Sequence, residues 1–305
     1  MKILFISKGD FPDYQSDMLL HGLRSLYQQD VVDFPQCWYM YKELKDEFWN
    51  KRIPGNGKEY GHGFTLPGSF PEIEIDRDNI EEKILDHFYD LIIYGSAKRE
   101  LTFLDLVLSS YKRHEIIFID GEDQTDIDWN LVDLGLYFKR ELIYEADKLF
   151  PIGFCFPEEK IFTELHEKTL DFATIIPGKK ETYKFKTEKE YYEEYRTALF
   201  GLTKKKGGWD CLRHYEIMAN HCLPYFKDID GCPDKTLFFF PKKLCKEINK
   251  FAESEEMEYK DWIHFQKKIL TFLQNHLTTT QMAKYLIDIS NFNKIDEEKE
   301  SYLES

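Results

Sequence analysis

Short runs of consecutive apolar residues recur along this chain, and helical patterns separate them. Ile3-Leu4-Phe5-Ile6, Val31-Val32, Leu91-Ile92-Ile93-Tyr94 and Ile116-Ile117-Phe118-Ile119 are four of them. None alternates polar with apolar, so each reads as a strand covered on both faces, the condition of a parallel sheet. The stretches between carry helical spacing. From about Ser16, residues Met18, Leu19, Leu20, Leu23, Leu26 and Tyr27 fall on one apolar side, and helices are expected over Asn79–Phe88 and Leu101–Arg113. A chain that alternates strand and helix in this way folds as an α/β layer structure, with ligands beyond the carboxyl ends of the strands.

The order repeats in the second half. Strands are expected at Asp171–Gly178, Ala198–Thr203, Leu223–Phe226 and Leu237–Phe240. Helices are expected at Thr187–Arg196 and Lys242–Ala252, and over about Tyr259–Leu277 and Thr279–Ile289. Proline and acid enter around Ala146 to Leu170, and the expected boundary falls there. The division is a first Rossmann-like domain over 1–148, a second over 149–290 and a polar tail over 291–305.

The net charge of −15 argues against a nucleic-acid partner, because a phosphate backbone needs a basic face. Six cysteines without a Cys-x-x-Cys pair fit reduced thiols, and the cytoplasm is the expected compartment. No secretory signal and no run long enough for a membrane span stand out, so any membrane contact is expected to be peripheral. Asp126-Ile127-Asp128 and Asp228-Ile229-Asp230 have the paired carboxylates of a hard-cation site. In so acidic a chain they read as solvated turns. Neither metal nor cofactor is expected.

The densest chemistry lies in residues 198–226, an apolar strand, a basic glycine loop, a helix and a second strand. Lys204, Lys205, Lys206, Gly207 and Gly208 form the loop, and Arg213 falls in the first turn of the helix. Backbone N–H groups, the positive helix end, a guanidinium and ammonium groups suit a diphosphate. Glu216, one turn on, is an acceptor for the two hydroxyls of a ribose. Asn220 shares its side. The plainer reading is an intrahelical Arg213–Glu216 ion pair and a solvated lysine turn. The Walker and dinucleotide glycine fingerprints are absent.

On the first domain, Asp10, Asp13, Tyr14, Gln15 and Asp17 follow the first strand, and Asp120-Gly121-Glu122-Asp123 ends the fourth, either as a base or ligand set for acceptor hydroxyls or as a solvated turn. Arg140 faces either the crevice or the surface. Gln36 to Phe70, rich in aromatics (Trp38, Trp49, Tyr60) and glycines (Gly55, Gly57, Gly61, Gly63), is a long excursion that either accepts sugar rings or caps the sheet.

Phe200-x-Leu202, Lys206-Gly207, Arg213-x-x-Glu216 and Cys222-Leu223-Pro224 follow one another here as in the donor-binding segment of exostosin-like and family 1-like glycosyltransferases. The segment resembles those enzymes over under a tenth of the chain, and the two-domain order extends the likeness loosely to the rest. The resemblance implies a GT-B architecture, two Rossmann-like parallel-sheet domains facing a cleft with C-terminal helices. It also implies transfer of a sugar from a nucleotide-diphosphate sugar to a glycan or other hydroxyl acceptor, with a place in polysaccharide biosynthesis. By it, Arg213 and Lys206 hold the diphosphate, with Lys205, Gly207 and Gly208 beside them, and Glu216 holds the ribose. Tyr14 and Arg140 complete the expected substrate contacts. His221 departs from the family, which carries glycine there. It is either a helix end or a group reaching into the site. Asp17 is the first candidate for the catalytic base, followed by His21, Glu122 and Asp123; Asp17 otherwise only caps or starts the first helix. A non-catalytic nucleotide- or carbohydrate-binding protein of the same fold is the alternative.

Overall fold

The computed structural model describes residues 1–9, 12–42, 64–71 and 73–303, with side chains through Ile295. Asp10, Trp49, Tyr60 and Gly55, Gly57, Gly61 and Gly63 lie outside the described residues.

The first sheet contains β1 (Ile3–Ile6), β2 (Val31–Phe34), β3 (Leu91–Tyr94), β4 (Ile116–Asp120), β5 (Leu136–Lys139) and β6 (Leu149–Pro151). Its order is β2-β1-β3-β4-β5-β6, and every pairing is parallel. The unalternating strands behave as parallel-sheet chemistry requires. Ile3, Phe5, Ile93, Ile117 and Ile119 join one core, while Leu4, Ile6, Ile92, Tyr94, Ile116 and Phe118 join another on the opposite face. The second core is closed by Ile80 and Ile84 of α2 (Ile80–Leu85), Val107 of α3 (Leu104–Ser110) and Leu131 and Val132 of α4 (Trp129–Leu134).

α1 (Tyr14–Tyr27) covers the other face, and Asp13 caps it by accepting from the Ser16 amide. Residues 149–151 belong to the first sheet, three residues past the expected division.

The second sheet is small and also parallel, in the order β7-β8-β9: β7 (Leu170–Phe172), β8 (Ala198–Thr203) and β9 (Leu223–Phe226). α5 (Glu188–Thr197) precedes β8, and α6 (Leu212–Ala219) joins β8 to β9. α7 (Lys242–Ala252), α8 (Tyr259–His276) and α9 (Thr279–Leu303) follow. The expected strand over Leu237–Phe240 is instead a turn. Leu237 has φ 50°, and its neighbours go separate ways. Phe240 packs on His214, Tyr215 and Phe226, Phe239 on Tyr285, and Phe238 stays exposed. An apolar run of this length fits a strand or an irregular anchor equally well until its partners are known.

α9 returns to the first domain. Met282, Ala283, Leu286 and Ile287 join the α1 side of the core, so one hydrophobic core runs through both domains. Gly22 permits this crossing, because a Cβ there would collide with the Thr279 carbonyl. At the same crossing Thr279 N–H donates to Phe156 O (3.0 Å) and Phe156 N–H to Leu277 O (2.9 Å).

Candidate active site at the domain junction

β8 delivers the chain to the glycine loop, and His214 fixes that loop. The imidazole is fully buried. Its Nδ1 lies 2.7 Å from Thr203 Oγ1 at the end of β8 and its Nε2 lies 2.9 Å from the Trp209 carbonyl. A carbonyl only accepts, so Nε2 carries the proton and Nδ1 accepts from threonine. Burial pushes the imidazole down to about 3, and the ring is neutral. His214 thus ties the two ends of the lysine loop together, a job no feature of the sequence marked.

The far side of the loop is held by the first domain. Glu141 accepts from Trp209 N–H (2.9 Å) and Asp210 N–H (3.0 Å). Arg140 donates to Asp210 O (2.7 Å), to Gly121 O twice, to Glu141 and to Asp123. Every guanidinium nitrogen is engaged, so Arg140 joins the domains as a clamp. The glycines belong to the same contact. A Cβ at Gly208 would meet Glu141 Oε1 at 2.5 Å, and one at Gly207 would collide with the Asp123 carboxylate. The loop N–H groups expected to cradle phosphate are therefore directed differently at Trp209 and Asp210, toward Glu141.

Asp210 lies at the centre of this junction, 3 % exposed. It accepts from Phe154 N–H at 2.7 Å, and its Oδ1 has no partner among the described residues. Burial raises its carboxyl to about 6 against the pull of Arg140.

Arg213 opens α6 and is 8 % exposed. Nη2 donates to the Tyr183 hydroxyl at 3.1 Å, while Nε and Nη1 are buried without a partner among the described residues. The Tyr183 ring lies 5.4 Å from this guanidinium and 5.6 Å from Lys206 Nζ, so both cations converge on one tyrosine. Lys205 turns over Trp209 instead, at 5.0 Å. A buried guanidinium with two unanswered nitrogens, three N–H groups, is costly unless an anion arrives.

Glu216, also buried, does not pair with Arg213. Oε1 accepts from Thr65 Oγ1 (2.7 Å) and Oε2 from the Tyr191 hydroxyl (2.6 Å). Burial raises its carboxyl, and these two hydroxyls oppose that. Thr65 belongs to the excursion of the first domain, and Lys160 Nζ holds its carbonyl at 2.5 Å. The excursion thus reaches into the second domain. Asn220 donates to the Glu216 carbonyl, within the helix.

His221 resolves simply. Its φ of 54° is the left-handed helix end where the resembling family has glycine, and its ring lies 5.6 Å from Phe162. It sits at the opposite end of α6 from Arg213.

The opposing wall is acidic. Asp17 is enclosed, 1 % exposed, with Tyr39 donating to Oδ1 at 2.6 Å; burial raises its carboxyl well above the usual range. His21 is 3.0 Å from both Thr279 Oγ1 and Glu159 Oε1, at the domain crossing. Glu122 pairs with Arg99 at 2.6 Å, and Asp123, half-exposed, with Arg140. Asp13 joins them at the strand ends, accepting from Ser96 Oγ at 3.0 Å and 3.7 Å from Arg99. Tyr14, half-buried, begins α1 beside Asp13. The Asp-x-Asp pairs have other partners: Asp126 binds Lys98, Asp128 caps α4, Asp228 accepts from Lys205 N–H and Asp230 binds Lys246. Among the described residues no group of three or more His, Cys, Asp or Glu side chains is placed to hold a metal ion. No described helix is long and apolar enough to cross a membrane.

The sequence matches no protein-family model and no curated protein. Two solved structures share the architecture nearly end to end. One is an alpha-glucosyltransferase in complex with UDP and a 13-mer DNA containing a central A:G mismatch: TM-score 0.51, 11 % identity, covering 95 % of this chain and 100 % of that one. The other is Anabaena HepE in complex with UDP: TM-score 0.50, 9 % identity, covering 94 % and 99 %. The fold is that of GT-B glycosyltransferases, an α/β structure with two parallel-sheet halves. The expectation of no nucleic-acid partner is corrected by the same finding. A protein of this architecture is held in complex with DNA, so the fold does not exclude nucleic acid. Net charge sums over the whole surface, whereas a strand meets only the patch it touches.

Proposed function

We propose that this protein transfers a glycosyl group from a nucleoside-diphosphate sugar to an acceptor hydroxyl. The observation that carries the reading is Arg213, buried at the first turn of α6 with Nε and Nη1 unpartnered and Lys206 converging on the same tyrosine. A diphosphate supplies the missing acceptors with matching charge. The GT-B fold supports the reading, since solved relatives in fold hold UDP. In this reading Lys206 and Arg213 hold the diphosphate, with Lys205 and the Gly207-Gly208 turn at the rim, and Glu216 takes the ribose by exchanging its bond to Thr65. Arg140 positions the loop, and Tyr14 borders the acceptor side.

For the base, Asp123 is favoured over Glu122 because it touches the glycine loop across the junction. Asp17, enclosed under Tyr39, is the least accessible of the three. The acceptor is proposed to be a glycan or a nucleic-acid hydroxyl. The reaction is proposed to need no metal.

The test is incubation with a panel of nucleotide sugars, with and without acceptor, measuring nucleoside diphosphate release. Release that depends on Arg213 and Asp123 is the expected result. Folded protein that binds no nucleoside diphosphate would refute the reading. A second reading, binding without chemistry, draws on Glu216, whose two oxygens are already satisfied by protein hydroxyls. Tight nucleotide binding with no turnover on any donor would favour it.

A further inference from the structure

The donor end of the second domain carries far more positive charge than a sugar diphosphate requires. β7 and β8 are parallel neighbours, so the segments leaving their carboxyl ends lie side by side. The first segment contributes Lys179, Lys180, Lys184 and Lys186, and the second Lys204, Lys205 and Lys206, all exposed. The segments touch. A Cβ at Gly178 would lie 3.8 Å from Lys204 Nζ, and Tyr183 of the first receives Arg213 and Lys206 of the second. None of the seven ammonium groups pairs with a carboxylate among the described residues, although the chain carries a net −15. A nucleoside diphosphate brings two to three negative charges. Arg213 and one lysine suffice for it.

The lysines are interleaved with half-buried rings. The first segment reads Tyr183-Lys184-Phe185-Lys186, with Lys184 Nζ 5.6 Å from the Phe185 centroid, and Lys205 lies 5.0 Å from that of Trp209. Ammonium groups that track a backbone, beside faces on which bases stack, form the surface that binds single-stranded nucleic acid. A membrane-binding patch would instead project large exposed apolar side chains. The acidic wall opposite does not cancel this field, because Glu122, Asp123 and Asp126 are each paired with Arg99, Arg140 and Lys98.

We propose that the paired segments 179–186 and 204–206 form a nucleic-acid-binding surface that brings a strand to the mouth of the donor site. That the bound strand is the acceptor rests on the transferase reading; the surface itself rests on the charge and rings. The test is fluorescence anisotropy of a short labelled single-stranded oligonucleotide at about 50 to 200 mM salt, with UDP affinity measured in parallel by calorimetry. Four phosphate contacts predict a log–log salt slope of about −3. Lys179→Gln/Lys180→Gln/Lys184→Gln is expected to weaken the oligonucleotide at least tenfold and flatten that slope by about 2, each contact counting about 0.7. UDP affinity should stay within about threefold of wild type, since none of the three touches Arg213. Protein that binds UDP but no oligonucleotide at low salt overturns the surface and leaves the transferase reading standing. So does tighter binding to phosphatidylserine vesicles or heparin than to the oligonucleotide. Oligonucleotide binding by folded protein that ignores UDP would support the surface and remove the transferase.

Discussion

Replacing Arg213 by methionine should separate its role in binding from its cost to the fold. Among the described residues, Nε and Nη1 are buried and unanswered, and a single bond to Tyr183 is the only hydrogen bond of the guanidinium. Each unsatisfied buried donor costs about 1 to 3 kcal/mol, and the bond to tyrosine returns about 1.5. Methionine keeps the length of the side chain and removes charge and donors together. The net expectation is a more stable apoprotein by about 2 kcal/mol, a melting temperature about 3 °C higher for a chain of 305 residues. Nucleotide binding should move the other way. Losing a charged pair across a buried contact costs about 2 to 5 kcal/mol, roughly 30- to 4000-fold in affinity. The assay is thermal unfolding by fluorescence with and without UDP. Wild type should gain stability with ligand, while Arg213→Met should start higher and gain almost none. A variant that melts below wild type yet binds UDP equally well would show that Arg213 is structural, and the reasoning would fall.

Further expectations concern the junction. Asp210, raised to about 6 from an ordinary 3.8, favours folding in its protonated form. Its contribution is present below about pH 4 and is lost as pH rises through about 6, roughly 3 kcal/mol. His214, lowered to about 3, does the reverse, adding stability above about 6.5 that is lost as pH falls. The two slopes oppose each other between about pH 4 and 6, so the informative quantity is the wild-type minus Asp210→Asn difference in urea unfolding, which should slope across that window. A flat difference would contradict the assignment. Glu141→Gln should keep its one amide oxygen toward Asp210 N–H and Arg140 and turn its NH2 toward Trp209 N–H, which costs about 1 to 3 kcal/mol and speeds exchange of the Trp209 amide more than that of the β4 amides. Gly22→Ala should cost at least about 3 kcal/mol, because the new Cβ meets the Thr279 backbone at the α1–α9 crossing. Unchanged thermal unfolding of that variant would mean the helices separate at no cost.

Much of the architecture was readable because it depends on local rules. Consecutive apolar residues without alternation announced parallel strands, and β1, β3 and β9 lie where those runs are. The helix over Lys242–Ala252 kept its expected limits, since Lys243, Glu247 and Lys250 are exposed while Cys245 and Ile248 are buried. Leu237–Phe240 failed for the reason short apolar runs fail: aromatic side chains anchored to His214 and Tyr285 satisfy burial without a ladder. Helix α9 was legible only to about Ile289, because its later residues are polar and periodicity fades there.

By itself, then, the sequence determined the parallel α/β layers, the strand–glycine loop–helix order and the types of charge in the second half. Those follow from periodicity and composition over a few neighbouring residues. What each charge does was decided by tertiary structure. Arg140 and Arg213 look alike in the chain, yet one meets Asp123, Glu141 and Asp210 while the other is left with two unanswered nitrogens among the described residues. Glu216, three residues from Arg213, turns instead to Tyr191 and to Thr65, which lies 151 positions away. Partners so distant in the chain leave no trace in local spacing, because hydrogen bonds and ion pairs act over a few ångströms of space. The seven lysines were countable from the start, but that they form one surface depends on β7 lying beside β8.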